Sequence, residues 1–326
     1  MKKNQIYGGG AQFCFLIFTL FMFFSCKSGE TDGELLPSVS GSSGPLEKVR
    51  QLAEENRSFA DGRADNIVSH PAEIRAILER GFVVFGMTAQ DQKPFFYKDE
   101  QTGELIGLDV EIGYAIANRL GVRAVFNRDA ASFDEVVTKV VNGEVDIALS
   151  KLSLTIRRAE LVRFTNPYIS FRQAMLINRL EFAKIGPEET LPAFIRNFKG
   201  TLGVIKNSSY VNYALMNFPD AQIESFDTWD ETVNALFAGK TLAIYRDEGE
   251  VLIVNFTRKD ASILMKPVFI NDKRDPIAMA VSSEAPLLQE WLNVFLDDYL
   301  LQNRRQLTPS RLIERHFRTG ADTQVN

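Results

Sequence analysis

One pattern occurs twice, 96 residues apart, and restricts the fold more than any other feature of the chain. Ser132-Phe133-Asp134-Glu135 opens a stretch that closes on Gly143 and the apolar run Val145 to Leu149. Thr228-Trp229-Asp230-Glu231 opens another, closing on Gly239 and the run Leu242 to Tyr245. Ser or Thr followed three residues later by Glu is a capping box, which satisfies N–H groups orphaned at a helix start. A glycine at the far end suits the left-handed position past a helix. Each unit therefore predicts a helix and then a short buried strand. The first strand ends in Ser150-Lys151-Leu152-Ser153 and the second in Arg246-Asp247-Glu248. In open α/β sheets, ligands bind beyond the carboxyl ends of the strands. Two similar α/β lobes offering polar groups to one cleft account for the repeat; chance likeness between two ordinary helix–strand units is the competing account.

The length of 326 residues suits two domains. A net charge of −5 without a long basic tract argues against nucleic acid as a partner. Lys2 and Lys3 precede Phe13 to Phe24, an uncharged apolar run of 12 residues. That run is short for a bilayer span and right for a signal peptide, so residues 1–25 are read as a cleaved leader. Cleavage removes Lys2, Lys3 and no acid, taking the net charge from −5 to −7. It also removes Cys14 and leaves Cys26 as the sole cysteine, so the mature chain has no intrachain disulfide. Phe23-Phe24-Ser25-Cys26 resembles a bacterial lipobox, whose Cys becomes the lipidated first residue. Phe23 and Phe24 depart from its usual Leu and small residue, and an uncleaved anchor with an incidental Cys is the alternative. Residues 27–45, rich in Ser, Gly and Pro, read as a flexible tether.

Further along, Glu47 to Ala60 and Pro71 to Arg80 are predicted helices, and Phe82 to Gly86 a strand. Asp109 is predicted to cap a helix with Ile112, Ile116 and Leu120 on one face, ended by Gly121 and followed by a strand at Val122 to Phe126. Gln173 to Asn178 and Leu202 to Ile205 are predicted strands of a second lobe, and Pro276 to Val281 a strand returning to the first. Amphipathic helices are expected at Leu287 to Leu301 and Pro309 to Phe317. The chain is thus expected to cross between lobes near Tyr168 and back near Asp275, a two-stranded hinge of the kind that closes around ligands. The organisation read from this is a leader (1–25), a lipid-anchored tether and extension (26–66), lobe 1 (67–168 with 276–318), lobe 2 (169–275) and a tail (319–326).

Only two histidines occur, His70 and His316, both outside the expected cleft, which argues against a Ser-His-Asp triad or a His-based metal site. Neither a phosphate loop nor a dinucleotide fingerprint is present, and no cofactor is expected. What remains is charge at strand ends. Between Ser150 and Arg179 stand Lys151, Arg157, Arg158, Arg163, Arg172 and Arg179 against one acid, Glu160, a local excess that suggests an anion site. Solvated surface charge explains some of these residues. Arg158 is the best candidate for contact, because a guanidinium matches a carboxylate bidentately.

Three ordered blocks then carry a resemblance. Gly107-Leu108-Asp109-Val110-Glu111 with Ile116-Ala117-Asn118-Arg119-Leu120-Gly121, then Asp146 to Arg158, then Phe164-Thr165-Asn166-Pro167-Tyr168, resemble motifs of the extracellular solute-binding proteins, family 3. These are the polar amino-acid receptors of ABC importers, and the resemblance runs from about Arg80 to Phe317. It implies a two-lobed α/β venus-flytrap fold (periplasmic binding protein type II) with a two-stranded hinge, monomeric, holding an α-amino acid between the lobes for an ABC permease. By the same resemblance Arg158 clamps the α-carboxylate, Ser153 helps to hold the amine or carboxylate, Ser208 and Ser209 form the turn of lobe 2, and Asp247 pairs with the ligand ammonium. Ser150 stands at the same strand end. Phe95 or Phe171 is expected to take the place of the stacking aromatic, near which Gln92 sits.

Lys151 stands where the family usually has Gly or Ser. It is expected to pair with a second ligand carboxylate, to point to solvent, or to fill the pocket. With Arg172, Lys206 and Arg246 near the cleft rims, the first option favours an acidic amino acid or another small anion. Two other readings remain. One is a dehydratase-like enzyme on the same fold with Glu248 beside Asp247 as general acid. The other is a sensory lipoprotein that has lost transport. Residues 46–70 lie outside the resemblance, and a partner contact is one use for them.

Overall fold

Both capping boxes form. In the computed structural model, which describes residues 44–59, 69–184, 190–303 and 307–314, Ser132 Oγ accepts the Glu135 N–H at 3.2 Å and Thr228 Oγ1 accepts that of Glu231 at 3.1 Å. The glutamates reach back one residue beyond the cap, accepting from Ala131 N at 2.8 Å and Asp227 N at 3.2 Å. The helices Phe133–Val141 and Trp229–Phe237 run out at Gly143 and Gly239, which take φ of 71° and 70°. The leader, Cys26, residues 27–43 of the tether, His316 and the tail lie outside the described residues.

The first sheet has the order β4-β1-β5-β12-β6, from β1 (Phe82–Thr88), β4 (Arg123–Ala130), β5 (Ile147–Ala148), β6 (Val162–Phe164) and β12 (Ala280–Ser282). A two-stranded ribbon of β2 (Tyr97–Lys98) and β3 (Leu105–Ile106) lies beside it in sequence. The second sheet has the order β11-β7-β10-β8-β9, from β7 (Ile169–Asn178), β8 (Thr201–Ile205), β9 (Gln222–Phe226), β10 (Ala243–Asp247) and β11 (Met265–Ile277). Successive strand residues face opposite ways, so each sheet feeds two cores. Met175 and Ile177 of β7 pack with Phe194, Phe198 and Phe218, while Ala174 and Leu176 pack with Val233, Leu236 and Val251.

Two departures from the sequence reading bear on the cleft. The run Pro276 to Val281 is not one strand: Ile277 pairs with Ile169 in the second sheet, whereas Ala280 and Val281 pair with Ala148 and Ile147 in the first. Ladders in two sheets cannot be continuous, so the strand breaks at Ala278-Met279. Asp109 is not a cap either. The helix Leu108–Leu120 begins after Gly107, and Asp109 is fully buried within its first turn, bonded across the lobe.

The extension ahead of the first lobe is a helix, Pro45–Phe59, seated on the helix Leu108–Leu120, where Lys48 Nζ meets Glu111 Oε2 at 2.9 Å. Its Asn56 treats β4, an edge strand, as a partner. Asn56 Nδ2 donates to Val122 O at 2.7 Å and Oδ1 accepts Ala124 N at 3.1 Å, so one side-chain amide stands in for a neighbouring peptide. An unpaired edge invites foreign strands, and covering it is a common remedy. Asn56→Ala should cost about 1–3 kcal/mol, because a buried backbone donor and acceptor lose their partners. Urea unfolding measures it, and an unchanged midpoint would refute this role.

Candidate functional site

The ends of β5 and β10 face each other, and the residues following them meet. Lys151, just past β5, has φ of 46°, and its N–H donates to Asp109 Oδ2 at 2.6 Å. Asp109 Oδ1 in turn accepts the Tyr168 hydroxyl at 2.8 Å. Burial outweighs these bonds and pushes the Asp109 carboxyl up to about 7. Held this way, the Lys151 side chain runs into the second lobe. Its ammonium is 3.0 Å from Asp247 Oδ2 and 2.7 Å from Glu250 Oε1, with the Phe95 and Phe171 ring centres at 5.2 and 5.7 Å. Asp247 also caps the helix Glu248–Thr257, its Oδ1 accepting Glu250 N at 3.1 Å. Burial would raise the Asp247 carboxyl, but Lys151, Arg246 and the Glu250 N–H together hold it below the usual carboxylate range.

Arg246, the penultimate residue of β10, is a second buried cation at the cleft. Its guanidinium lies among the rings of Phe133, Tyr210 and Trp229, with centroids at 5.6, 5.9 and 5.6 Å. Nη2 donates to Gln92 Oε1 at 3.1 Å. Nε is 3.5 Å from Asp247 Oδ2, and neither Nε nor Nη1 has a hydrogen-bond partner among the described residues. Ser209 Oγ donates to Ser153 Oγ across the cleft at 2.9 Å. Asp275, on β11, accepts from Tyr210 Oη at 3.1 Å and Tyr213 Oη at 3.4 Å. Burial first, and then the neighbouring Asp247, push its carboxyl up to about 6. The space enclosed by Phe133, Lys151, Ser153, Tyr210, Arg246 and Asp275 is about 10 Å³, room for roughly one water.

The sequence pattern of the bacterial extracellular solute-binding proteins, family 3, matches residues 84–307. The chain belongs to this family. Among curated relatives, the ABC transporter glutamine-binding protein GlnH of Bacillus subtilis (strain 168) is 24% identical over 229 residues, 68% of this chain and 78% of that protein. The arginine-binding periplasmic protein of Mannheimia haemolytica is 24% identical over 155 residues, 47% of this chain and 59% of that one. Among solved structures, the ancestral amino acid-binding protein AncCDT-1, a precursor of cyclohexadienyl dehydratase, superposes with a TM-score of 0.60 at 24% identity. That match covers 76% of this chain and 100% of that one. An amino acid ABC transporter substrate-binding protein from Streptococcus pneumoniae Canada MDR_19A bound to L-arginine gives 0.61 at 22% identity, over 75% and 98%. The fold is the two-lobed venus flytrap of type II periplasmic binding proteins. The family is one of receptors rather than enzymes.

The sequence-selected residues divide into two groups. Lys151, Ser153, Ser209, Asp247 and Phe95 meet at the cleft. Arg158, Ser150 and Ser208 are buried but spent elsewhere. Arg158 Nε and Nη2 donate to Asp134 Oδ1 at 3.0 and 2.9 Å, and Nη1 donates to Ser153 O at 3.0 Å. Ser150 Oγ accepts Thr88 N at 3.1 Å, and Ser208 Oγ donates to Ile205 O at 2.6 Å. Of the expected rim cations, Arg172 is bound by Glu248 and Lys206 faces Asp227 at 3.5 Å; only Arg246 enters the cleft. Glu248 takes both the Arg172 N–H and its guanidinium, at 2.9 and 2.7 Å, and is turned away from acid–base work. Sequence reasoning missed Glu250 and Asp275. Asp247-x-x-Glu250 is itself a capping-box spacing, and applying to it the rule used at Ser132 and Thr228 would have flagged Glu250. For Asp275, lying in a polar stretch beside Pro276, no local signal exists.

Proposed function

We propose that this chain is an extracytoplasmic receptor that captures a small anionic solute between its lobes and passes it to an ABC permease, tethered to the membrane by a lipid on Cys26 and working as a monomer. The observation that carries the anionic class is Arg246. It is a guanidinium 3% exposed, lining the cleft, and although it stands 3.5 Å from Asp247 and 3.9 Å from Glu250, two of its nitrogens lack a hydrogen-bond acceptor among the described residues. A buried donor without a partner is costly, and a carboxylate supplies one. The hinge strands β7 and β11 support the motion needed to admit a ligand, since both run from the second sheet to the first lobe. Acidic amino acids fall within this class, and Arg158 could join the site only by leaving Asp134.

Thermal unfolding against a panel of amino acids and organic acids tests the reading. A ligand at 100 times its Kd adds roughly 2.7 kcal/mol to the stability of the folded state, a clear rise in Tm. A rise confined to anionic solutes and lost in Arg246→Gln is expected. A rise with neutral or cationic amino acids alone would sink the anionic assignment, and no rise with any solute would sink the receptor reading.

A further inference from the structure

We infer that Lys151 takes the place of a ligand ammonium inside the cleft, so that this receptor selects small carboxylates that carry no amine. The inference rests on the receptor reading above and narrows it.

A site for an organic ammonium needs negative charge, aromatic faces and shelter from water. Such a site exists here, and the chain fills it from the opposite lobe. The Lys151 side chain is 3% exposed, its ammonium sits between Asp247 and Glu250 at 3.0 and 2.7 Å, and Phe95 and Phe171 flank it. An incoming α-amino acid would bring a second ammonium to these carboxylates. It would then have to displace Lys151 and leave that cation buried without a partner, or turn to Asp275, the other acid lining the space, which is already taken up by Tyr210, Tyr213 and Ser153. Removing one member of a buried ion pair is among the most costly changes a fold can suffer.

The donors left without acceptors point the other way. Among the described residues, Ser153 is bonded to the Asp275 carboxyl, while Arg246 Nε and Nη1 lack hydrogen-bond acceptors and Ser209, donating to Ser153 Oγ at 2.9 Å, lines the same space. These are donors for a carboxylate. The closed cleft has room for about one water, so a ligand enters an open form and its class is set by which groups closure leaves unsatisfied. Closure satisfies the acids with Lys151, while Arg246, 3.5 Å from Asp247 and 3.9 Å from Glu250, keeps two nitrogens without a hydrogen-bond acceptor among the described residues. The backbone at Lys151 fits a replaced glycine, since φ of 46° is a conformation that glycine adopts freely.

The test is calorimetric titration of the full chain in mild detergent with matched pairs: glutamate against 2-oxoglutarate and glutarate, aspartate against oxaloacetate and succinate. The wild type should bind at least one amine-free acid, with its aminated partner at least tenfold weaker. Lys151→Gly frees Asp247 and Glu250 and should reverse the order, while Arg246→Gln should abolish binding of the amine-free acid. Equal or tighter binding of the amino acid by the wild type overturns the inference. So does a wild type that binds neither class while Lys151→Gly binds amino acids, which would keep the receptor fold but make Lys151 a plug. Failure of both proteins to bind anything would instead remove the receptor reading beneath it. If Lys151→Gly does not fold, the wild-type pairs and Arg246→Gln still decide.

Discussion

Gly107→Ala should destabilise the first lobe by about 3–5 kcal/mol, combining backbone strain of roughly 1–3 kcal/mol with overpacking of similar size. Gly107 has φ of 125°, a region that residues with a Cβ rarely adopt. A Cβ there would lie 2.3 Å from Phe95 O, 2.6 Å from Phe95 C and 2.9 Å from Phe96 N. These are backbone atoms, so no rotamer change relieves the clash. They are also fixed, because Asp109 N donates to Phe95 O at 2.8 Å and Leu108 N to Pro94 O at 3.2 Å. The consequence reaches the site, since Phe95 flanks the Lys151 ammonium. Gly103→Ala is the control: its φ is 70°, but nothing lies within 4 Å of the added carbon. Only the left-handed backbone penalty of about 1–2 kcal/mol applies there. Urea midpoints for the two variants should differ clearly. Equal losses would mean that the close approach to Phe95 can relax.

What the sequence revealed and what it concealed divide along the distance over which each feature is determined. The helices Phe133–Val141 and Trp229–Phe237 were legible because the cap, apolar face and terminal glycine of each lie within one short window. The strands that follow them were legible for the same reason, and with them the position of the cleft. β11 was not. It runs 13 residues through Pro267, Asp272, Lys273 and Pro276 with no alternation to read, and it is a strand because β7 lies beside it. The fate of each cation was equally remote. Lys151 and Arg158 look alike in sequence as basic residues near a strand end, and their roles are set by Asp247, Glu250 and Asp134, the first two nearly a hundred positions away. Arg246 was read as a rim residue, whereas β10 buries it among three aromatic rings drawn from both lobes. Pairing across a cleft leaves no local trace.

Acidification from pH 7.5 to 5 should stabilise the protein by about 4 kcal/mol, the reverse of what salt-bridged carboxylates alone produce. The two groups responsible are Asp109, raised to about 7, and Asp275, raised to about 6, in both cases chiefly by burial, from an ordinary value of 3.8. A raised acid binds its proton more tightly in the folded state. Between the unfolded and folded values the native chain therefore holds the extra proton, and stability falls as pH rises, by about 1.4 kcal/mol per pH unit per group. Asp109 contributes from pH 5 to about 7, roughly 2.7 kcal/mol, and Asp275 from pH 5 to about 6, roughly 1.4 kcal/mol. Asp99, Glu104, Asp129, Glu144 and Asp247 are shifted downward. Their ordinary values, 3.8 for Asp and 4.5 for Glu, lie below pH 5, so they enter chiefly below this window. The groups packed around Asp109 are Tyr168 and the Lys151 backbone and ammonium; those around Asp275 are Asp247, Ser153, Tyr210, Tyr213 and Lys151. Urea unfolding at pH 5, 6, 7 and 7.5 measures the slope. Asp109→Asn keeps an acceptor for Lys151 N without a titrating proton, so it should remove about two thirds of the pH dependence and confine the rest below pH 6. A slope unchanged in that variant, or a wild type most stable at pH 7.5, would mean that Asp109 is already ionised when the lobe folds. The carboxylate that fixes the Lys151 backbone would then be charged at every working pH, and the grip on Lys151 would not vary with acidity.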